Sequence, residues 1–280
     1  MVDLGKLPYM LQLLDDDEPA IQSAISKELA SSSGDLSHEI AALGVDISSK
    51  SQKILSSMLE PGRRETLASE WQIPPHGAHS LDGDFATFES YLSLISDFLH
   101  DGITLRPSLP DILDILADEA RSENAHISEN ALRAWLFESG RFKGNKDNYY
   151  AAENSDLCWC IDNETGNPIS LSLIFILVAR RLDLEVHGCN YPGHFLAMIT
   201  RDGKQQLADC FHRGRLISVD EVLNSNKHIS EYARAAITES APLGSILLRT
   251  IRNLMHSFKK LKRAEDEKLF AQIFEKMFTD

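Results

Sequence analysis

The stretch that decides the fold is Gly166-Asn-Pro-Ile-Ser-Leu-Ser-Leu-Ile-Phe-Ile-Leu-Val-Ala-Arg-Arg-Leu182. Its apolar part, Ile169 to Ala179, is interrupted only by two serines and is too short to span a bilayer, so it predicts a buried helix. Asn167 can cap that helix, and Pro168 suits its first position, where no N–H is needed. The sequence therefore predicts a buried helix with a well-defined start.

The strands that the sequence predicts follow this helix. Glu185–Cys189 and His194–Thr200 flank the turn Tyr191-Pro-Gly193, and Arg201-Asp-Gly-Lys204 then leads the chain into Gln205–Asp209. Short runs of this kind, separated by turn residues, predict a small antiparallel meander beside the buried helix.

Three polar residues lie at the ends of these elements. Ser170 falls in the first helical turn, where free backbone N–H groups and the helix dipole would stabilise an anionic nucleophile. His194 opens one strand and Asp209 ends the next. A nucleophile on a helix, followed by His and Asp, is the general arrangement of nucleophilic catalysis with an oriented base. Ser170, His194 and Asp209 are therefore the candidate catalytic residues.

Helical patterns occupy the N-terminal part of the chain. Ile21, Ile25 and Leu29 recur at a spacing of four residues, and short helices around an Asp/Pro turn predict either a HEAT-like hairpin or, equally, a small helical bundle over residues 1–60. The many Pro, Gly and Asp residues in 61–84 predict a connector.

Further helical patterns follow the connector. Ser108 as N-cap and Pro110 at the first turn predict a helix from Leu109 to Ala120. A helical pair, Leu243–Leu261 and Ala264–Phe278, is expected to close the C-terminus. The predicted parts are a helical region (1–60), a connector (61–84), a core (85–225) and a C-terminal helical pair (226–280).

Composition restricts the partners. The 280 residues carry a formal net charge of −14, which disfavours nucleic acid and anionic membrane surfaces as partners.

Residues 1–6 lack the layout of a signal peptide. With only four cysteines, the chain is expected to be a cytoplasmic protein with reduced thiols. The basic run His256–Arg263 is interpreted as a solvated helix face.

Seven short motifs occur in a characteristic order. They are Phe142-Lys-Gly-Asn145, Tyr149-Tyr150, Asn154-Ser155, Gly166-Asn-Pro-Ile-Ser-Leu171, Ala179-Arg-Arg-Leu182, Pro192-Gly-His-Phe-Leu196 and Asp209. In order and spacing they resemble the SirB-type family of transglutaminase-like proteins over residues 85–225. The resemblance implies an α+β fold with a papain/transglutaminase-like core, in which a central helix packs on a small antiparallel sheet. With its helical N- and C-terminal regions, the chain would be mostly α overall.

The resemblance also implies that a nucleophile is missing. Active transglutaminase-like enzymes have a Cys at the start of the central helix, near residue 168 here, but this sequence has Pro168, Ile169 and Ser170. The SirB-type pattern itself reads Gly-x-Pro-Ile-Ser at this point, so the loss resembles a family trait. His194 and Asp209 match the base and its orienting residue.

The segment after Asp209 departs from the SirB-type pattern. Cys210 replaces the usual Pro, and His212 lies two residues further on. This departure puts a family-wide role for the loop in doubt.

Cysteines and histidines are numerous enough to raise a metal site: Cys158, Cys160, His187, Cys189, His194, Cys210 and His212. However, only one residue separates Cys158 from Cys160, whereas structural zinc pairs are typically spaced by two to four residues. On a helix these two side chains would also point to different faces. Neither a metal nor another cofactor is therefore expected.

Three functions remain open from the sequence. The leading hypothesis is a non-catalytic regulatory scaffold that acts through a protein partner, because the thiol is missing beside a retained His and Asp. The alternative is a hydrolase or acyl-transfer enzyme that uses Ser170, His194 and Asp209, with an unknown small-molecule substrate. A metal-binding regulator is the third. Ser170 could instead bond first-turn amides or the helix backbone, and His194 could only hold two strands together through Asp209.

Overall fold

The chain is mostly helical and carries two small β-sheets, as described by a computed structural model for residues 4–225 and 228–278. The predicted domains also include residues 1–3, 226–227 and 279–280, which lie outside these ranges. The helices are α1 (Leu7–Gln12), α2 (Pro19–Leu29), α3 (Ser37–Leu43), α4 (Ser49–Glu70), α5 (Phe85–Leu99), α6 (Leu109–Ser122), α7 (Glu129–Arg133), α8 (Leu157–Asp162), α9 (Pro168–Arg181), α10 (Val219–Ser225), α11 (Glu231–Thr238), α12 (Leu243–Leu261) and α13 (Ala264–Phe278). The strands are β1 (Lys143–Gly144), β2 (Thr165–Gly166), β3 (His187–Cys189), β4 (Leu196–Arg201), β5 (Lys204–Asp209) and β6 (Arg215–Ser218).

Two compact units divide the chain: Met1–Gln72 with Asp97–Pro107, and Ile73–Ser96 with Ser108–Asp280. Helices α1 to α4 of the first unit enclose an apolar cluster that includes Leu7, Leu29 and Leu55. The HEAT-like description of residues 1–60 and the predicted domain boundaries stay predictions.

Helix α4 extends to Glu70, so residues 61–70 are helical although their Pro and Gly residues were expected to interrupt the helix. Gly62 lies inside α4, where a Cβ atom would overlap the backbone of Ser32 and Gly34. A glycine at this position therefore allows two backbones to approach closely and does not end the helix. Pro61 also lies inside α4.

Helix α9 begins at Pro168, as predicted, and every residue from Pro168 to Ala179 is buried. It contacts β3 and β4 of a four-stranded antiparallel sheet whose strand order is β3-β4-β5-β6. The predicted meander corresponds to β3, β4 and β5. Strand β6 was not predicted, and it pairs with β5 so that Arg215 lies opposite Asp209.

Helices α12 and α13 have the bounds that the sequence predicts, and they pack against each other. The rings of Phe258 and Phe270 lie 5.4 Å apart between them. Among residues 4–225 and 228–278, no helix combines the length and the apolarity that crossing a membrane would require.

We predict that Gly244→Ala destabilises the second unit. Helix propensity alone would favour alanine by about 1 kcal/mol. At Gly244, however, the new Cβ would overlap the carbonyl group of Ala78 in the turn Gly77–Leu81, against which α12 packs. We expect a net loss of about 1–3 kcal/mol in the free energy of unfolding, measured with urea. The exposed control Lys259→Ala in the same helix should stay within about 0.5 kcal/mol of wild type. A Gly244→Ala protein as stable as wild type would contradict this close contact.

Candidate functional site

The start of α9 is held by a side-chain cap. Asn167 has an extended backbone, and its Oδ1 accepts hydrogen bonds from the N–H groups of Ile169 at 3.0 Å and Ser170 at 2.9 Å. Pro168 follows at the first helical position. These are the roles that the sequence predicts for Asn167 and Pro168.

The hydroxyl of Ser170 forms hydrogen bonds with this cap and with the preceding loop. Its Oγ donates to the carbonyl oxygen of Asn154 at 2.5 Å and lies 3.1 Å from Oδ1 of Asn167. Only 1% of Ser170 is exposed. In the part of the chain that the structure describes, no hydrogen bond joins Ser170 to His194.

Asparagine side chains tie that loop together. The side-chain amide of Asn154 donates to the carbonyl oxygens of Asn148 and Tyr149, at 2.8 and 3.1 Å. Its Oδ1 accepts from the amide of Asn145 at 2.8 Å. The backbone N–H of Asn145 in turn donates to the carbonyl oxygen of Gly166 at 2.9 Å, immediately before the cap. The loop and the helix start thus form one polar network, which the sequence did not reveal.

The two serines of α9 have different surroundings. Ser170 interacts with the thiol of Cys160 in α8, whereas Ser172 interacts with the thiol of Cys210, the residue after Asp209. Two residues on a helix differ by about 200° in direction, so the serines lie on opposite faces. Pro168 is one turn before Ser172 and shares its face.

His194 and Asp209 meet as the sequence predicts. His194 follows a turn in which Gly193 has a φ of +75°, and its N–H donates to the carbonyl oxygen of Tyr191 at 3.0 Å. The ring nitrogen Nε2 lies 3.0 Å from Oδ1 of Asp209. Asp209 is 2% exposed, and the His194 side chain is 25% exposed. The imidazole is therefore reachable from solvent and the carboxylate is not.

His212 is the site residue whose contact the sequence analysis missed. Its Nδ1 lies 2.9 Å from Oδ2 of Asp209, and its backbone N–H donates to Oδ1 of Asp209 at 3.2 Å. Asp209 thus caps the 3-10 turn Cys210–His212 while its carboxylate lies between two imidazoles. The Asp-x-x-His spacing was the available signal, because residues three apart in a tight turn can touch.

Neighbouring side chains stabilise the negative charge of the Asp209 carboxylate. Burial would raise the pKa of this carboxyl, but hydrogen bonds and electrostatic interactions with His194 and His212 together hold the pKa of Asp209 below its usual range. Nη2 of Arg215, an exposed side chain, lies 3.8 Å from Oδ2. Among the described residues, one group of three His, Cys, Asp or Glu side chains could hold a metal ion: His194, Asp209 and His212, with ligand atoms within 4.8 Å of one another.

All four cysteines lie among the described residues, where they are buried and form no disulfide with one another. Burial raises the pKa of Cys189 to about 11 and that of Cys210 to about 12. It also raises the pKa of Cys160 well above its usual range. Because the thiolate is the reactive form, these three thiols are poor nucleophiles near neutral pH.

Comparison with known proteins gives the family. A model described as "Transglutaminase-like superfamily" matches residues 108–252, more than half of the chain. The chain therefore belongs to the transglutaminase-like superfamily.

Several curated proteins share this region. A UPF0162 protein of Xylella fastidiosa (strain Temecula1) is 37% identical over 130 residues, which cover 44% of this chain and 46% of the relative. F-box only protein 21 of Mus musculus is 28% identical over 139 residues, covering 47% of this chain and 22% of that protein. The chain thus spans about half the length, or less, of these relatives. No solved structure matches it.

We predict that Asn167→Ala destabilises the second unit by about 1–2 kcal/mol, the upper part of the range for lost N-caps, because two buried N–H groups lose their acceptor. Urea unfolding measures the difference. The matched control is Ser230→Ala at the exposed start of α11, where the serine Oγ accepts from the N–H of Ala233. Its loss should cost less, since water can replace the cap. Equal costs for the two variants would count against a special role for the buried cap.

Proposed function

We propose that this transglutaminase-like protein lacks the catalytic nucleophile and acts as a non-catalytic regulatory or protein-interaction scaffold. The observation that carries the proposal is the hydroxyl of Ser170, which is buried and donates to the carbonyl oxygen of Asn154. A serine with this hydrogen bond serves the structure of the helix start. A hydroxyl also has a far higher pKa than a thiol, and assistance from the helix dipole of about 1 kcal/mol does not close that gap.

The position of Pro168 supports the same proposal. It lies on the face of α9 that carries Ser172, and Ser172 adjoins Cys210, the residue after Asp209. A side chain at position 168 would share that face, and proline offers no nucleophilic atom. The contacts of α9 with β3 and β4 support a papain/transglutaminase-like core with α9 as its central helix. The ordered motifs of residues 142–209 support a SirB-type assignment.

Contact with a protein partner is supported by relatives and by surface chemistry. One relative is named as an F-box only protein, a name that hints at interaction roles. A cleft of about 650 Å³ lies beside residues 190–193 and is lined by Arg249, Arg252 and Tyr232. Tyr232 is 87% exposed. Tyrosine and arginine are the residue types that most often dominate protein interfaces. Four cysteines that form no disulfide with one another support a cytoplasmic location.

The alternative is a hydrolase or acyl-transfer enzyme using Ser170, His194 and Asp209. The hydrogen bond of 3.0 Å between Nε2 of His194 and Oδ1 of Asp209 favours it, because an oriented imidazole could act as a base. It would require Ser170 to leave Asn154 and turn toward His194.

We predict that the wild-type chain is inert to covalent probes directed at nucleophilic serines and thiols. A fluorophosphonate and iodoacetamide are applied to the native protein, and covalent adducts are measured by mass spectrometry. Wild type, Ser170→Ala, His194→Ala and the control Ser172→Ala, which removes the buried serine on the other face, should all show the same low labelling. Wild-type labelling that disappears in Ser170→Ala and His194→Ala but survives in Ser172→Ala would establish the alternative.

A further inference from the structure

Three side chains with metal-binding atoms converge where the catalytic pair of an active relative would lie. His194 comes from the turn before β4, Asp209 from the end of β5 and His212 from the turn that follows. The carboxylate contacts both imidazoles, with nitrogen–oxygen distances of 3.0 and 2.9 Å. All three ligand atoms lie within 4.8 Å of one another. We propose that His194, Asp209 and His212 bind a single divalent metal ion of the zinc type, and Zn²⁺ is the ion that their donor atoms fit.

The donor atoms suit a metal ion that accepts both nitrogen and oxygen ligands. Two imidazole nitrogens and one carboxylate oxygen are ligands that zinc and its neighbours accept, whereas magnesium and calcium prefer oxygen alone. In a tetrahedral site, ligand atoms about 2.0–2.2 Å from zinc lie roughly 3.3–3.6 Å apart. The three atoms lie within 4.8 Å of one another, so a movement of His212 by about 1 Å toward His194 would complete the arrangement. His212 can make this shift because 49% of its side chain is exposed.

The surroundings leave room for further ligands. The side chains of His194 and His212 reach solvent, so water or a partner's side chain could fill the fourth position that three-ligand zinc sites keep open. Asp209 brings its negative charge to the buried side of the group. The positive charge of the Arg215 guanidinium would repel the metal ion, but the Arg215 side chain is 68% exposed and can turn away. Each ligating ring nitrogen would need a free lone pair, so each imidazole would carry its proton on the other ring nitrogen.

The inference does not depend on the proposed function, since a scaffold without a nucleophile could exist with or without the ion. His212 is the residue that distinguishes a metal site from a hydrogen-bond network. In the absence of a metal, His212 only adds a hydrogen bond to Asp209, and other donors could replace it. As a metal ligand, it needs an imidazole.

In the test, the full chain is dialysed against EDTA and then titrated with zinc in a calorimeter. Its thermal unfolding is measured separately with and without ZnCl2. We expect one Zn²⁺ per wild-type chain and a higher unfolding temperature with zinc, because binding to the folded state alone stabilises it. His194→Ala and His212→Ala should each weaken binding by at least about tenfold and remove the thermal shift. MgCl2 should not compete.

Two further variants separate the metal from a hydrogen-bond network. His212→Gln keeps an amide donor that can reach Asp209 but supplies no imidazole, so it should fold normally and lose zinc. His187→Ala removes an exposed histidine of β3 outside the group and should bind like wild type. Absence of saturable zinc binding to wild type, or wild-type affinity in His194→Ala and His212→Gln, would overturn the proposal.

Discussion

The buried polar network at the start of α9 is the interaction on which the site depends. A helix that is buried along its length cannot leave its first N–H groups to water, so they need acceptors from the chain itself. Asn167 provides one acceptor for two of them, and Ser170 connects that cap to the carbonyl oxygen of Asn154. The asparagine-rich loop is held against the helix start by the same bonds.

This network supports the proposed non-catalytic role, because it holds the Ser170 hydroxyl on Asn154 and Asn167. In an active relative the helix start would present a thiol to the imidazole. Here the polar side chain in the first turn faces α8, and proline occupies the position on the opposite face. His194 and Asp209 form their own group with His212, joined through one carboxylate. Among the described residues, no hydrogen bond joins Ser170 to this group.

Much of the fold could be predicted because its signals are local. The caps at Ser108 and Asn167 and the bounds of α12 and α13 follow from residues within a few positions of each helix end. Gly62 misled the prediction, since its role is a close approach to backbone about 30 residues away in the chain. Strand β6 was missed because its four residues, Arg215–Ser218, are partly exposed and do not alternate.

The site was predictable to the same extent. The pairing of His194 with Asp209 followed from strand order and from the family resemblance. The partner of Ser170 did not, because Asn154 is 16 residues away in a loop without periodicity. Nor did the position of His212 beside the carboxylate, which depends on the left-handed residue Arg213 and the tight turn around it.

The separation of Ser170 from His194 can be measured directly from the ring resonances of His194 in nuclear magnetic resonance spectra of the metal-free protein. Wild type is compared with Ser170→Ala and Asp209→Asn. If the hydroxyl bonds only to Asn154 and Asn167, Ser170→Ala leaves the His194 resonances in place, while Asp209→Asn displaces them. A displacement in Ser170→Ala as large as that in Asp209→Asn would show that the hydroxyl contacts the imidazole, and would contradict the account of a site without its nucleophile.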